Sequence, residues 1–171
     1  SATGDVSGRY YYIGGLVGNS CADIIDSYAL GNVTGGTPVG GLVGAQDGTQ
    51  HPYYGWWYGA AEDRKISGSF AAGNVSGVGG INWYSGWPGG SGGLAGVNWS
   101  QIVDSHALGT VHGLGGGVVG GLVGVNLGTI ENSYAASPLV DDETNTDNVF
   151  AVVGLNQLDV NGSTLTGVVT N

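Results

Sequence analysis

The sequence predicts an all-β chain, a parallel β-solenoid of about five coils, and three observations carry that expectation. Glycine supplies 37 of the 171 residues and charged residues only 9%. Each of those glycines would cost a helix interior up to about 1 kcal/mol, while Val, Ile, Tyr, Trp and Thr suit strands. One pentapeptide recurs, as GGLVG at 14–18, 40–44 and 120–124 and as GGLAG at 92–96. The residues between its copies return in fixed columns, which a β-sandwich would not require.

The elements follow from that alignment. From the last glycine of the pentapeptide to the next serine, Gly18 to Ser27, Gly96 to Ser105 and Gly124 to Ser133 are each nine positions, as is Gly154 to Ser163 after the degraded copy AVVG. From each serine the chain reads S-x-A-x-G-x-V: SYALGNV at 27, SFAAGNV at 69, SHALGTV at 105, SYAASPL at 133 and STLTGVV at 163, with SATGDV opening the chain as the same phrase short of its first residue. Alternation of two within the phrase means strands. One apolar column holds Ile24, Ile66, Ile102, Ile130 and Val160, and a second holds Val33, Val75, Val111, Leu139 and Val169. Ala29, Ala71, Ala107 and Ala135 form a third, and the pentapeptides add Leu16, Leu42, Leu94, Leu122 and Val152. Residues of one kind at a period of 26–30, as from Leu16 to Leu42 and from Leu122 to Val152, imply coils that stack like on like, each covering a face no single coil could bury. Glycine, Asn and Asp at the corners supply the positive φ angles of tight turns. Residues 1–171 read as one solenoid domain with two insertions, approximately 46–64 and 79–91.

GGLVGVNLGTIENSYAAS at 120–137, with its sisters at 40 and 92, resembles the GLUG repeat, named for its G-L-apolar-G motif and found in large bacterial and archaeal surface proteins. The resemblance runs along the chain outside the two insertions. Similar repeats occur in adhesin-like proteins and beside the catalytic domain of some immunoglobulin A peptidases. The family brings no catalytic residues of its own, so the resemblance implies a structural or adhesive role outside the cell.

Charge excludes other classes. Thirteen acidic residues face Arg9, Arg64 and Lys65, for a net charge of −10. No basic patch can neutralise a nucleic-acid backbone or dock on anionic lipid. The most apolar stretch, 113–125, is too short and glycine-rich to span a membrane. The chain starts with Ser and shows no targeting segment, which fits either a mature secreted product or an excised fragment.

Catalytic and metal readings are weak. HExxH and G-x-S-x-G are absent, and His51, His106 and His112 are followed by Pro, Ala and Gly. Asp26 and Asp104 share a column and could mimic the paired carboxylates of a polysaccharide-cleaving β-helix. That column continues as Gly68, Asn132 and Gly162, which favours turn hydrogen bonding over catalysis. Asp141, Asp142, Glu143 and Asp147 in DDETNTDN could hold Ca²⁺, yet the EF-hand spacing and central glycine are missing, so a solvated acidic turn is the preferred reading and no cofactor is assigned. Cys21 reads as a quiet half-buried thiol, with pairing between chains as the alternative. Sequons at Asn32, Asn74, Asn98 and Asn161 are glycosylation candidates, but two follow automatically from the repeat phrase G-N-V-[ST]-G.

The insertions are the informative departures. Gly44 to Ser69 spans 25 positions, and Val75 to Leu94 spans 19 where other copies need nine to thirteen. Into these stretches fall Trp56, Trp57, Trp83 and Trp87 with Tyr53, Tyr54, Tyr58 and Tyr84. Inserted aromatics can anchor a protein interface, stack on glycans, or fold back as a local core. A second stripe, Tyr28, Phe70, His106 and Tyr134 beside Leu30, Ala72, Leu108 and Ala136, faces outward if the alanines face inward, and wants a cover.

The expected function is non-enzymatic: a structural protein at the cell surface or outside the cell, a subunit of a self-assembling head-to-tail filament, fibre or adhesin. In that scheme Val6 and Val169, taken to share one phase, are the assembly ends, and the partners are copies of the chain itself, with glycans or a host surface protein as further partners. The alternative is a carbohydrate-binding adhesin module using the aromatic insertions. Ice binding is disfavoured because the column Ser7, Thr34, Ser76 and His112 is not consistently Thr.

Overall fold

The computed structural model describes residues 1–47, 64–78, 89–115, 117–141, 149–160, 163–166 and 168–170. Every strand is two to four residues long, and each strand of the stack is only one side of a coil. Pairing runs between coils in five parallel sheets, and no helix occurs among the described residues.

One sheet stacks Val6–Ser7, Val33–Gly36, Val75–Val78, Val111–Leu114 and Leu139–Asp141. A four-stranded sheet stacks Tyr28–Ala29, Phe70–Ala71, His106–Ala107 and Tyr134–Ala135, with Ala2 bridged to Ala29. The third runs through Ile13–Gly14, Val39–Gly40, Gly90–Gly92, Val118–Gly120 and Val149–Phe150, and the fourth through Val17–Ser20, Val43–Gln46, Ala95–Asn98, Val123–Asn126 and Val153–Leu155. The fifth contains Ile24–Ile25, Lys65–Ser67, Gln101–Val103, Thr129–Glu131 and Val168–Thr170.

Register is like on like, as the columns require. Val6, Val33, Val75, Val111 and Leu139 pair in series, and so do Ile24, Ile66, Ile102 and Ile130. The main core joins that isoleucine column to Leu42, Leu94 and Leu122 and to Ala29, Ala71 and Ala107, all buried. A second cluster holds Val33, Val75 and Val111 with Val39 and Val119, and a third holds Ala45, Val97 and Val125 with Trp99 and Val118. Trp99, the one tryptophan outside the insertions, is therefore core.

The second glycine of each pentapeptide is a packing requirement. A Cβ on Gly41 would overlap the Gly93 carbonyl oxygen, and one on Gly93 would overlap that of Gly121. The same Cβ atoms would stand 2.8 Å from Ala71 Cβ and 2.7 Å from Ala107 Cβ on the opposite wall. Gly faces Ala across an interior too thin for anything larger, which explains why both columns are uniform.

Three polar ladders tie the coils at their corners. Ser69 Oγ accepts from the Ser27 N–H (3.1 Å), Ser105 Oγ from Ser69 (3.2 Å) and Ser133 Oγ from Ser105 (3.0 Å). On the outside, Asp5 Oδ1 accepts from the Asn32 N–H (2.7 Å), Asn32 Oδ1 from Asn74 (3.0 Å) and Asn74 Oδ1 from Thr110 (3.0 Å). Thr110 brings no amide to extend this ladder, and the residue in the next coil is Pro138, which has no N–H to satisfy. Inside, Asn98 Nδ2 donates to Asn126 Oδ1 (2.8 Å) and Asn126 Nδ2 to Asn156 Oδ1 (2.9 Å). Buried amides paired this way meet the requirement that interior polar groups be hydrogen-bonded.

Gly90–Gly92 pairs with Val118–Gly120 and Gln46 pairs with Asn98, so these residues at the margins of the approximate ranges 46–64 and 79–91 belong to the ladder. The structure corrects the reading of the final repeat. The last S-x-A phrase is not a coil strand: Gln157–Val160 and Ser163–Thr166 form an antiparallel hairpin, pairing Val160 with Ser163. The chain then rejoins the stack with Val169 opposite Ile130. Val169 thus lies in the isoleucine column, and Val6 lies in the valine column. The nine-residue spacing from Gly154 to Ser163 is coincidental, and Val6 and Val169 are not in one phase.

Two outcomes follow. Ile102→Asp should destabilise the fold by several kcal/mol, roughly 3–5, because a carboxylate would enter a fully buried column without a partner. Thermal unfolding followed by circular dichroism checks this, and an unchanged midpoint would mean that the column does not carry the core. Gly93→Ala should lower stability by about 1–3 kcal/mol through overpacking. Gly4→Ala, where a Cβ meets nothing within 4 Å, should leave the melting curve where it was.

Candidate functional site

The described surface carries one organised cluster of large side chains, and the corner before it creates it. Asp26, Asp104 and Asn132 have φ of 46°, 49° and 48°, and Gly68 in the same column has 58°. Asn, Asp and Gly tolerate this left-handed conformation best, which is why the column contains only these residues. The chain turns there, the serine ladder fixes the next residue, and the following side chain is directed outward. In successive coils that side chain is Tyr28, Phe70, His106 and Tyr134.

The four rings stack. Centroids are 5.3 Å apart for Tyr28 and Phe70, 5.1 Å for Phe70 and His106, and 5.0 Å for His106 and Tyr134, with interplanar angles of 13°, 4° and 2°. The spacing is that of neighbouring strands in the ladder. Tyr28, Phe70 and His106 are half-buried by one another, and Tyr134 at the end is 54% exposed. Two residues on, Leu30 and Leu108 are exposed, with Ala72 and Ala136 between and beyond them in the column. The outward stripe expected from the sequence is present. Its ring faces are taken up by neighbouring rings, so mainly edges meet solvent along its middle.

Asp26 and Asp104, the two carboxylates that share a column, sit at those corners. Asp26 and Asp104 are exposed and occupy consecutive left-handed positions on either side of Gly68, where backbone conformation alone accounts for their residue type. Asp26 Oδ1 lies over Gly68, 2.5 Å from where a Cβ would be.

Of the other candidates, Tyr53, Tyr54, Trp56, Trp57, Tyr58, Trp83, Tyr84 and Trp87 lie outside the described residues, as do Asp142, Asp147 and Asn161. Asp141 ends the strand Leu139–Asp141. No group of three or more His, Cys, Asp or Glu side chains able to hold a metal occurs among the described residues. Asn32 and Asn74 are exposed, and each already uses its side-chain oxygen in the outer ladder. Asn98 is a correction: its side chain is wholly buried in the interior amide ladder, where a glycosylating enzyme cannot reach it. Cys21 is free and half-buried, with Sγ 3.7 Å from Asp47 Oδ2. Burial first, then the Asp47 carboxylate, raise its pKa against the opposing pull of Arg64, so the thiol is less reactive than a free one.

One interior polar column, Ser20, Gln46, Asn98, Asn126 and Asn156, is not among the sequence expectations. The signal was a polar residue two positions after the last glycine of every pentapeptide. Gln46 is the misfit, since its Nε2 donates to the Ala22 carbonyl (2.9 Å) and its buried Oε1 has no partner among the described residues.

No described helix is long and apolar enough to cross a membrane. Comparison with curated proteins and with solved structures gave no significant match. Residues 9–34, which contain the first pentapeptide, the left-handed corner at Asp26 and the Ser27 phrase, match the family model of the GLUG motif, and the chain therefore carries a GLUG motif.

Proposed function

We propose that the chain is a non-enzymatic structural module of an extracellular, adhesin-like surface protein, and that its solenoids stack end to end into a filament of copies. The GLUG motif, typical of surface-associated proteins, supports the location. The observation that supports the stacking is the like-on-like register of every coil step, by which the first and last described strands of a sheet belong to one column, Val6 with Leu139 and Ile24 with Val169. Among the described residues, Val6–Ser7, Ile13–Gly14, Val17–Ser20 and Ile24–Ile25 stand at one side of the stack, and Leu139–Asp141, Val149–Phe150, Val153–Leu155 and Val168–Thr170 at the other. Strand edges of this kind accept further strands, and matching columns on the two edges favour a second copy. Each column then continues itself, the valine column with Val6 meeting Leu139 and the isoleucine column with Ile24 meeting Val169.

Val6 is not the residue to block. Its N–H already donates inward to the Asn32 carbonyl (2.8 Å), as that of Gly8 does to Thr34 (2.9 Å), so the alternating N–H of Ser7 faces the edge. Ser7→Pro should remove that donor and halt growth while the melting curve stays that of the parent. Electron microscopy and sedimentation at high concentration check this. Filaments from the parent and particles near 17.1 kDa from Ser7→Pro are expected. A parent that stays monomeric would overturn stacking and leave a segment of a longer surface array.

The second reading, a carbohydrate-binding module, rests on the eight Trp and Tyr residues of the insertions. Replacing Trp56, Trp57, Trp83 and Trp87 with Ala should leave the β-type circular dichroism intact while abolishing any response on a glycan array. Global unfolding of that variant would instead make the insertions part of the core.

A further inference from the structure

We propose that the outward ring ladder is a binding site for an elongated, planar aromatic cation. Three features define it. First, Tyr28, Phe70, His106 and Tyr134 keep a separation of 5.0–5.3 Å and near-parallel planes, so the site has a regular row of ring edges about 15 Å long over three coil steps. Second, the column two residues on alternates Leu30, Ala72, Leu108 and Ala136, with Leu30 and Leu108 exposed, so an apolar row of alternating height accompanies the rings. A flat molecule lying along the solenoid axis rests on these two rows, and it buries apolar surface without asking the strands to offer hydrogen bonds they have already spent within the sheet.

Third, charge selects the ligand. Exposed Asp26 and Asp104 stand two residues before Tyr28 and His106, and exposed Glu131 stands three before Tyr134. No Lys or Arg occurs in the ring column, the Leu/Ala column or the corner column. An anionic ligand is repelled there, and so is a second copy of this face, which would bring carboxylate against carboxylate in a chain of net charge −10. A cation is attracted, and the low density of neighbouring positive charge leaves the attraction uncancelled. The rings contribute shape and apolar area, the carboxylates contribute sign.

Thioflavin T, a planar benzothiazolium cation, is the probe. Its fluorescence is titrated with the parent chain and, to separate the site from any filament junction, with Ser7→Pro. A saturable rise is expected with both. Phe70→Ala combined with Tyr134→Ala should weaken binding at least tenfold, with unchanged circular dichroism showing that the half-exposed rings are not needed for folding. Asp26→Asn with Asp104→Asn removes charge while keeping a residue that the left-handed corner accepts, as Asn132 shows in the same column. That variant should bind at least threefold more weakly, and the loss should shrink in high salt. Absence of a saturable signal, equal affinity in the ring variant, or equal affinity after the two Asp→Asn changes would each overturn the proposal.

Discussion

The closeness of the second pentapeptide glycine to the coil above it governs this molecule. Because no Cβ fits beside the carbonyl of the next coil, the wall at Gly15, Gly41, Gly93 and Gly121 can approach the alanine wall across a single layer of side chains. Leucine and isoleucine fill the wider parts of the cross-section, and valine fills the remaining corner. Each coil is therefore too thin to have a core of its own. Stability comes from vertical contact, which explains why pairing is in register at every column and why strands of two residues suffice.

Corners are where such a chain runs out of backbone partners, and side chains take over there. Serine hydroxyls, outer Asp and Asn carbonyls, and inner Asn amides each accept or donate across one coil step. With so few charged residues, this division of labour falls mainly to neutral groups, Asp5 at the start of the outer ladder being the charged member, and neutral groups lose little on burial when paired and repel nothing when stacked. Pro138 ends the outer ladder by removing a donor, and Gln46 interrupts the inner one by being a methylene too long.

Much of this was legible in the sequence because stacking repeats a residue type at each position. The isoleucine, valine, alanine and leucine columns were all visible as such, and the outward direction of Tyr28, Phe70, His106 and Tyr134 followed from inward alanines. What misled was spacing taken without pairing. STLTGVV has the right distance from Gly154, yet the sequence also reads Asn-Gly at 161–162, a residue pair that favours two-residue hairpin loops, and Val160 pairs antiparallel with Ser163. The Asn98 sequon misled in another way: a three-residue pattern does not report that its first residue belongs to a buried ladder. Contact between ring neighbours, 42, 36 and 28 residues apart in the chain, could be inferred only as a column, and the near-parallel planes could not be inferred at all.

In-register pairing also shapes how such a chain can change length over evolutionary time. A duplicated or deleted segment that spans one whole coil leaves every column, ladder and corner with the neighbours it had before, so length behaves as a free variable that recombination between repeats can adjust in single steps. A segment of any other size shifts five sheets at once, unless it is looped out at a corner. Length variants of this scaffold should therefore come in whole coils.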